Sequence, residues 1–320
     1  MAVTSRSSLI RDLLALSRFD RYNPLFTTFA GVWSALLAGA TVLADENSTA
    51  SVGFVFRQTG LCCLAAYIFC GAGMVWNDWI DRDIDAHVAR TKSRPLAARR
   101  VTTTQAMVWM TMQVFASYLV LHVMLNGKDV LKHLLPVMAA SILYPFGKRP
   151  TARKLHLYPQ YILGFTIAWP AIPGWAAIHG QHQSFTETTY QCLPLCIMTY
   201  FWTLYLNTAY SYQDVVDDRK LNVNSFYNIA GRHIHLLLVA LASPVVVCLS
   251  LFLSQFNSVW LWVAWMGFWT VSFAEQLVRF DAKRPATGGI VHKSNVKLGL
   301  WTIVACAVEV FLKFRPTHLA

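Results

Sequence analysis

VFRQTGLCCLAAYIFCGAGMVWNDWIDRDID, residues 55–85, is the stretch whose reading decides the fold. Its first part, 55–76, is apolar over a length that fits about 30 Å of hydrocarbon, which takes roughly 17 to 25 helical residues. It runs straight into Asn77-Asp78-Trp79-Ile80-Asp81-Arg82-Asp83-Ile84-Asp85. Carboxylates are costly beside hydrocarbon, so such a cluster faces a protein interior or a wet cavity and marks a working site. A second cluster, Asp214-Val215-Val216-Asp217-Asp218, follows the apolar run 192–211.

The rest of the chain has the same character. With 55% hydrophobic and 13% charged residues among 320, it reads as one integral membrane domain, 1–320, and as all-α. Apolar runs fall at 25–44, 55–76, 105–125, 131–146, 160–179, 192–211, 234–254, 257–275 and 297–312, predicting nine transmembrane helices in a polytopic bundle. Trp169, Pro170 and Pro173 predict a kink or local opening in the fifth. With the N-terminal segment 1–24 in the cytoplasm, every Lys and Arg falls on the cytoplasmic side except Arg57, Lys128, Lys132, Lys313 and Arg315. That asymmetry is the positive-inside pattern. The formal charge of +11 is therefore a topology signal; the basic loops are short and interleaved with spans, which argues against nucleic acid as a partner. The seven cysteines all lie in spans and read as small apolar residues. Loops 77–104, 146–159, 211–233 and 276–296 share the cytoplasmic side and carry nearly every polar cluster, so this face is read as the working surface.

On a helix, Asn77, Asp81 and Asp85 recur at i, i+4 and i+8, and Asp78 shares their side; Asp214 and Asp218 stand one turn apart. Like charges at this spacing repel unless cations bridge them. Oxygen ligands at this density suit a hard ion such as Mg2+, which keeps waters and takes phosphate oxygens as further ligands, whereas neither cluster carries a zinc pattern. Either cluster alone reads equally well as a solvated helix end. Two on one membrane face, accompanied by Arg90, Lys92, Arg94, Lys148 and Arg149, point to an anion held between metal and fixed cations, and a diphosphate would neutralise both.

These residues carry a family resemblance. Asn77-Asp78-x-x-Asp81-x-x-x-Asp85 followed by Arg90-Thr91-Lys92-Ser93-Arg94-Pro95-Leu96 resembles the first signature of the UbiA-type intramembrane aromatic prenyltransferases. Tyr144-Pro145 with Lys148-Arg149, then Pro159-Gln160-x-x-Leu163-Gly164, resembles the middle segment, and Tyr210-Ser211-Tyr212-Gln213-Asp214-x-x-x-Asp218 the second signature. Arg18-x-Asp20-Arg21-x-x-Pro24 fits the approach to the first span, and the likeness runs over roughly residues 18–300. The chain departs from the pattern at Arg99, Asn222 and Asn224, where Gly or Lys is frequent, and in about five extra residues between Thr151 and Pro159. Its flavour is similar to the fungal secondary-metabolite branch.

The resemblance implies nine helices around a central cavity and Mg2+-dependent transfer of a prenyl group, farnesyl or geranylgeranyl, from its diphosphate to a carbon of an aromatic or pyrone-like acceptor. Asn77, Asp81 and Asp85 would serve one magnesium region, Asp214 and Asp218 the other, and Lys148 and Arg149 the phosphates. Asp78 and Asp214 are candidates for orienting the acceptor hydroxyl. Tyr144, Tyr205 and Tyr210 are candidates for facing the allylic cation, with interfacial belt or core the competing reading. A membrane terpene cyclase would use the same carboxylates without an acceptor. The expected location is the endoplasmic reticulum, with the mitochondrial inner membrane as the alternative, and no obligate protein partner is expected.

Overall fold

The computed structural model describes residues 6–88 and 91–314, and every regular element among them is helical. Helix stands at all nine expected positions. A short amphipathic α1 (Arg6–Leu16) leads to α2 (Asn23–Ala44), which opens on Pro24, where the missing N–H would have had no intrahelical partner. The 34 residues of α3 (Val52–Asp85) make it about 51 Å long at 1.5 Å per residue, longer than the hydrocarbon it crosses. Residues 77–85, grouped with a loop in the sequence reading, are thus the last turns of α3.

There follow α4 (Thr103–Met124), α5 (Val130–Gly147) and the short α6 (Pro150–Lys154). The fifth apolar run is split at Trp169-Pro170 into α7 (Pro159–Ala168) and α8 (Ala171–His179), the break that its prolines predict. Next come α9 (Phe185–Ser211), α10 (Val215–Lys220), α11 (Tyr227–Ala230) and α12 (Ile234–Leu253). The eighth run holds α13 (Val259–Leu261), a π-helical segment (Trp262–Gly267) and α14 (Phe268–Arg279); α15 (Ala286–Lys313) closes the bundle.

Seven of these segments, counting α7–α8 as one, are long and apolar enough to cross a membrane; α9 and the eighth run are not among them. The eighth run is broken into pieces by its π segment. The 27 residues of α9 are long enough but carry buried threonines, which answer their own hydroxyls by bonding back one turn: Thr203 donates to the Thr199 carbonyl at 2.8 Å and Thr208 to the Leu204 carbonyl at 2.6 Å.

The packing centre is α2, buried against α3, α8 and α15. Phe29, Trp33, Trp202, Trp265 and Trp269 fill the space between α2, α9, the π segment, α14 and α15, with the Phe29 and Trp33 rings parallel at 5.6 Å. The slab keeps its polar edges satisfied: indole N–H groups donate from Trp33 to the Gly299 carbonyl (3.2 Å), from Trp202 to Asn295 Oδ1 (2.6 Å) and from Trp269 to Thr302 Oγ1 (2.8 Å). A Cβ at Gly299 would come within 2.4 Å of the Phe29 ring, so only glycine lets α15 approach α2 this closely. At the periphery, Val108, Met112, Phe115, Leu119 and Val123 form one exposed apolar stripe on α4, the pattern of a lipid-facing helix. Between the slab and this outer wall lies an apolar pocket lined among others by Thr27, Cys62, Phe69, Leu121, His133 and Trp169.

Candidate active site

The carboxylates at the end of α3 stand at the negative pole of a long helix dipole, an unfavourable place for like charge. The fold answers with four cations from three other segments. Arg18, in the turn after α1, donates to Asp78 Oδ1 at 2.7 Å and also touches Met74 Sδ. Arg94 reaches Asp78 Oδ1 at 3.0 Å and Asp85 Oδ2 at 2.6 Å. Lys148, directly after α5, donates to Asn77 Oδ1 at 2.6 Å and Asp81 Oδ2 at 2.9 Å; Arg149 takes the other Asp81 oxygen at 2.9 Å. Asn77, Asp78, Asp81 and Asp85 are all buried, whereas Arg94, Lys148 and Arg149 keep 20% to 28% of their side chains exposed. The partly exposed face of the cluster is therefore cationic, backed by carboxylates.

Burial pulls the Lys148 ammonium down, but the Asp81 carboxylate and the neighbouring Tyr144 outweigh it and leave its pKa above that of a free lysine. The Lys148 ammonium sits 4.7 Å from the centre of the Tyr144 ring, so Tyr144 belongs to this centre. The other aromatic candidates lie elsewhere. Tyr205 is fully buried in the core, 5.0 Å from Phe273, and Tyr210 packs 4.5 Å from the His292 ring at the junction of α9 and α15.

The second cluster is built differently. Asp214 precedes α10, and Asp217 and Asp218 lie on it, after a break in the helix at residues 212–214. All three are half-exposed, and Asp217 pairs with Lys220 at 3.5 Å in solvent. Both clusters nevertheless stand at one end of the bundle, because the loop after α10 is bonded to the turn that carries Lys148. The Val223 N–H donates to the Asp218 carbonyl and the Asn224 N–H to the Lys148 carbonyl, each at 2.9 Å. Among the described residues, no three His, Cys, Asp or Glu side chains converge as a ready-made metal cage.

Of the proposed anion contacts, Arg94, Lys148 and Arg149 are brought together, Lys92 is exposed, and Arg90 lies outside the described residues. Sequence reasoning missed two participants. Arg18 entered only as part of the approach to the first span, although a cation beside a span in a chain with excess buried carboxylate was the available signal. Asn224 entered only as a departure from a pattern. Two other departures share one backbone property: Arg99 and Asn222 hold φ of 56° and 52°, the left-handed region glycine adopts freely.

Comparison with known proteins gives the family and the fold. The family model "UbiA prenyltransferase family" matches residues 24–299. The chain is 68% identical over 312 residues to the polyprenyl transferase dpchC of Colletotrichum higginsianum, covering 98% of this chain and 99% of that protein. It is 62% identical over 337 residues to the polyprenyl transferase dpmpC of Macrophomina phaseolina, covering 97% and 98%. In fold it is similar to the apo structure of a UbiA homolog from Aeropyrum pernix K1, with a TM-score of 0.64, 19% identity, and 89% and 97% of the two chains covered. It is also similar to a UbiA homolog from Archaeoglobus fulgidus bound to GPP and Mg2+, with a TM-score of 0.60, 13% identity, and 92% and 99% covered. A multi-pass helical bundle with a buried, cation-matched aspartate helix end, matched by the family from its first span into its last, places this chain in the UbiA prenyltransferase family.

Proposed function

We propose that this prenyltransferase moves a farnesyl or geranylgeranyl group from its diphosphate to a ring carbon of an aromatic or pyrone-like acceptor. The observation that carries the reading is the pairing of a buried carboxylate set with four fixed cations at one end of α3, above an apolar pocket on the same helix. Phe69, which lines that pocket, lies eight residues before Asn77, about 12 Å along the helix at 1.5 Å per residue. A prenyl chain entering from the aspartate end can run down into it.

The donor set fits magnesium. It is made of amide and carboxylate oxygens without sulfur or imidazole, and this ion is ordinarily held by one or two carboxylates together with substrate phosphates rather than by an all-protein cage. Asn77, Asp81 and Asp85 would serve one magnesium region and Asp214 and Asp218 the other; a UbiA homolog of the same fold is bound to GPP and Mg2+. When bound, the ion supplies Lewis-acid withdrawal of charge from the diphosphate. Arg94, Lys148 and Arg149 turn partly exposed N–H donors toward the same anion and stabilise the negative charge that grows on the leaving oxygen as the allylic carbon–oxygen bond breaks. Tyr144 presents its ring beside that centre, and the surrounding apolar wall keeps water from the allylic cation. The acceptor carbon then forms the new carbon–carbon bond, and its ring loses a proton to restore aromaticity; Asp78 or Asp214 orients the acceptor hydroxyl. Arg90 and Lys92 would extend the cationic rim toward the incoming donor.

The cap segments 77–104, 146–159 and 211–233 face the cytoplasm in this reading, with the N-terminus on the same side and the endoplasmic reticulum as the host membrane. The test is product analysis of the purified chain with Mg2+, prenyl diphosphates of 10, 15 and 20 carbons, and a panel of phenolic and pyrone acceptors. Alkylated acceptor is the expected product. Terpene hydrocarbon formed without any acceptor would replace this reading by a cyclase using the same carboxylates.

A further inference from the structure

We infer that Asn224 is a positioning residue that sets Lys148 and Arg149 for the donor diphosphate and ties the two aspartate segments into one receptacle. Helix ends leave carbonyls without intrahelical partners, and at the end of α5 those carbonyls belong to the turn that presents Lys148. Asn224 satisfies them. It is fully buried, its side-chain amide donates to the Gly147 carbonyl at 2.9 Å and to the Leu157 carbonyl at 2.8 Å, and its own N–H donates to the Lys148 carbonyl at 2.9 Å. Three bonds from one residue thus fix both sides of the Lys148 peptide and the strand that leads into α7.

The chain on either side of Asn224 completes the link. The Val223 N–H holds the Asp218 carbonyl, so the second aspartate segment is bonded within one residue of the clamp. Arg153 donates to Asn222 Oδ1 at 3.0 Å, Gln160 donates to Ser225 Oγ at 2.7 Å, and Phe226 packs against Tyr158 and Tyr161 with ring centres 5.4 and 5.1 Å away. A route of short bonds therefore runs from Asp218 through Asn224 to Lys148, and from Lys148 Nζ to Asn77 and Asp81. The donors of Asn224 all go to backbone carbonyls, those of Gly147, Leu157 and Lys148; it acts through the backbone of Lys148.

This inference rests on the reading of Lys148 as a diphosphate contact, and the test separates the two. Inorganic diphosphate with Mg2+ is titrated into the detergent-purified full chain and into Lys148→Ala, Asn224→Ala, the double variant and Phe226→Leu, with the melting temperature measured for each. Losing two buried hydrogen bonds predicts roughly tenfold weaker diphosphate binding for Asn224→Ala. If Asn224 works through Lys148, the double variant binds no more weakly than Lys148→Ala alone, within about twofold. Phe226→Leu, which loosens the same loop without touching Gly147 or Lys148, lowers the melting temperature and leaves affinity unchanged. Asn224→Ser, which keeps one donor, shows an intermediate loss and replaces the alanine variant should that not fold. Unchanged affinity in Lys148→Ala overturns the diphosphate reading itself. Weakened binding in Lys148→Ala together with additive losses in the double variant, or an equal loss in Phe226→Leu, overturns the role of Asn224 alone.

Discussion

The aspartates of α3 and those around α10 have the same chemistry and opposite construction. Asp78, Asp81 and Asp85 are buried on a helix end and matched by cations whose geometry is already set, whereas Asp214, just before the short α10, and Asp217 and Asp218, on it, are half-exposed. A buried ion pair stabilises little on balance, yet removing one partner leaves the other uncompensated and is strongly destabilising. The first cluster is thus committed to fold and site together, whereas the second stands on a shorter and more solvated part of the chain.

That contrast is exposed to four measurements. The largest effect belongs to Asp81→Ala, which strands Lys148 and Arg149: turnover should vanish and stability should fall by about 3 kcal/mol or more, read as a drop in melting temperature. Asp214→Ala should also abolish turnover but cost under about 1 kcal/mol, and a thermal loss as large as that of Asp81→Ala would erase the distinction. Arg18→Ala leaves Asp78 with Arg94 as its one cation beside the Asn77 amide; a loss of roughly 1 to 3 kcal/mol with reduced turnover is expected, and an unaltered protein would mean the arginine is ornamental. Smallest is Lys220→Ala, which breaks only a solvated pair with Asp217 and should stay within about 0.5 kcal/mol with full activity.

Hydropathy made the helices legible, and the four-residue spacing of Asn77, Asp81 and Asp85 made their common face legible before any coordinate. What it left dark were long-range partners. Nothing local ties Arg18 to Asp78, 60 residues on, or Asn224 to Gly147, 77 residues before it. Such bonds are made by packing, so periodicity is silent about them. Aromatic roles were ambiguous for a related reason: Tyr144 and Tyr205 carry the same ring near the ends of apolar runs, and only tertiary placement sends one beneath the Lys148 ammonium and the other into the core. The turns at Arg99 and Asn222 show the reverse case. Their backbone is left-handed although neither residue is glycine.

Lys148 and Arg149 lie 67 and 68 residues downstream of the Asp81 they neutralise, so during synthesis the acidic end of α3 is made well before these two counterions exist. Arg18 has already emerged by then, and Arg94 follows within a few residues of Asp85. The nascent chain therefore guards Asp78 and Asp85 early and leaves Asp81 exposed until α5 is finished. Stalled chains ending before residue 148 should be the most prone to misinsertion and to capture by quality control.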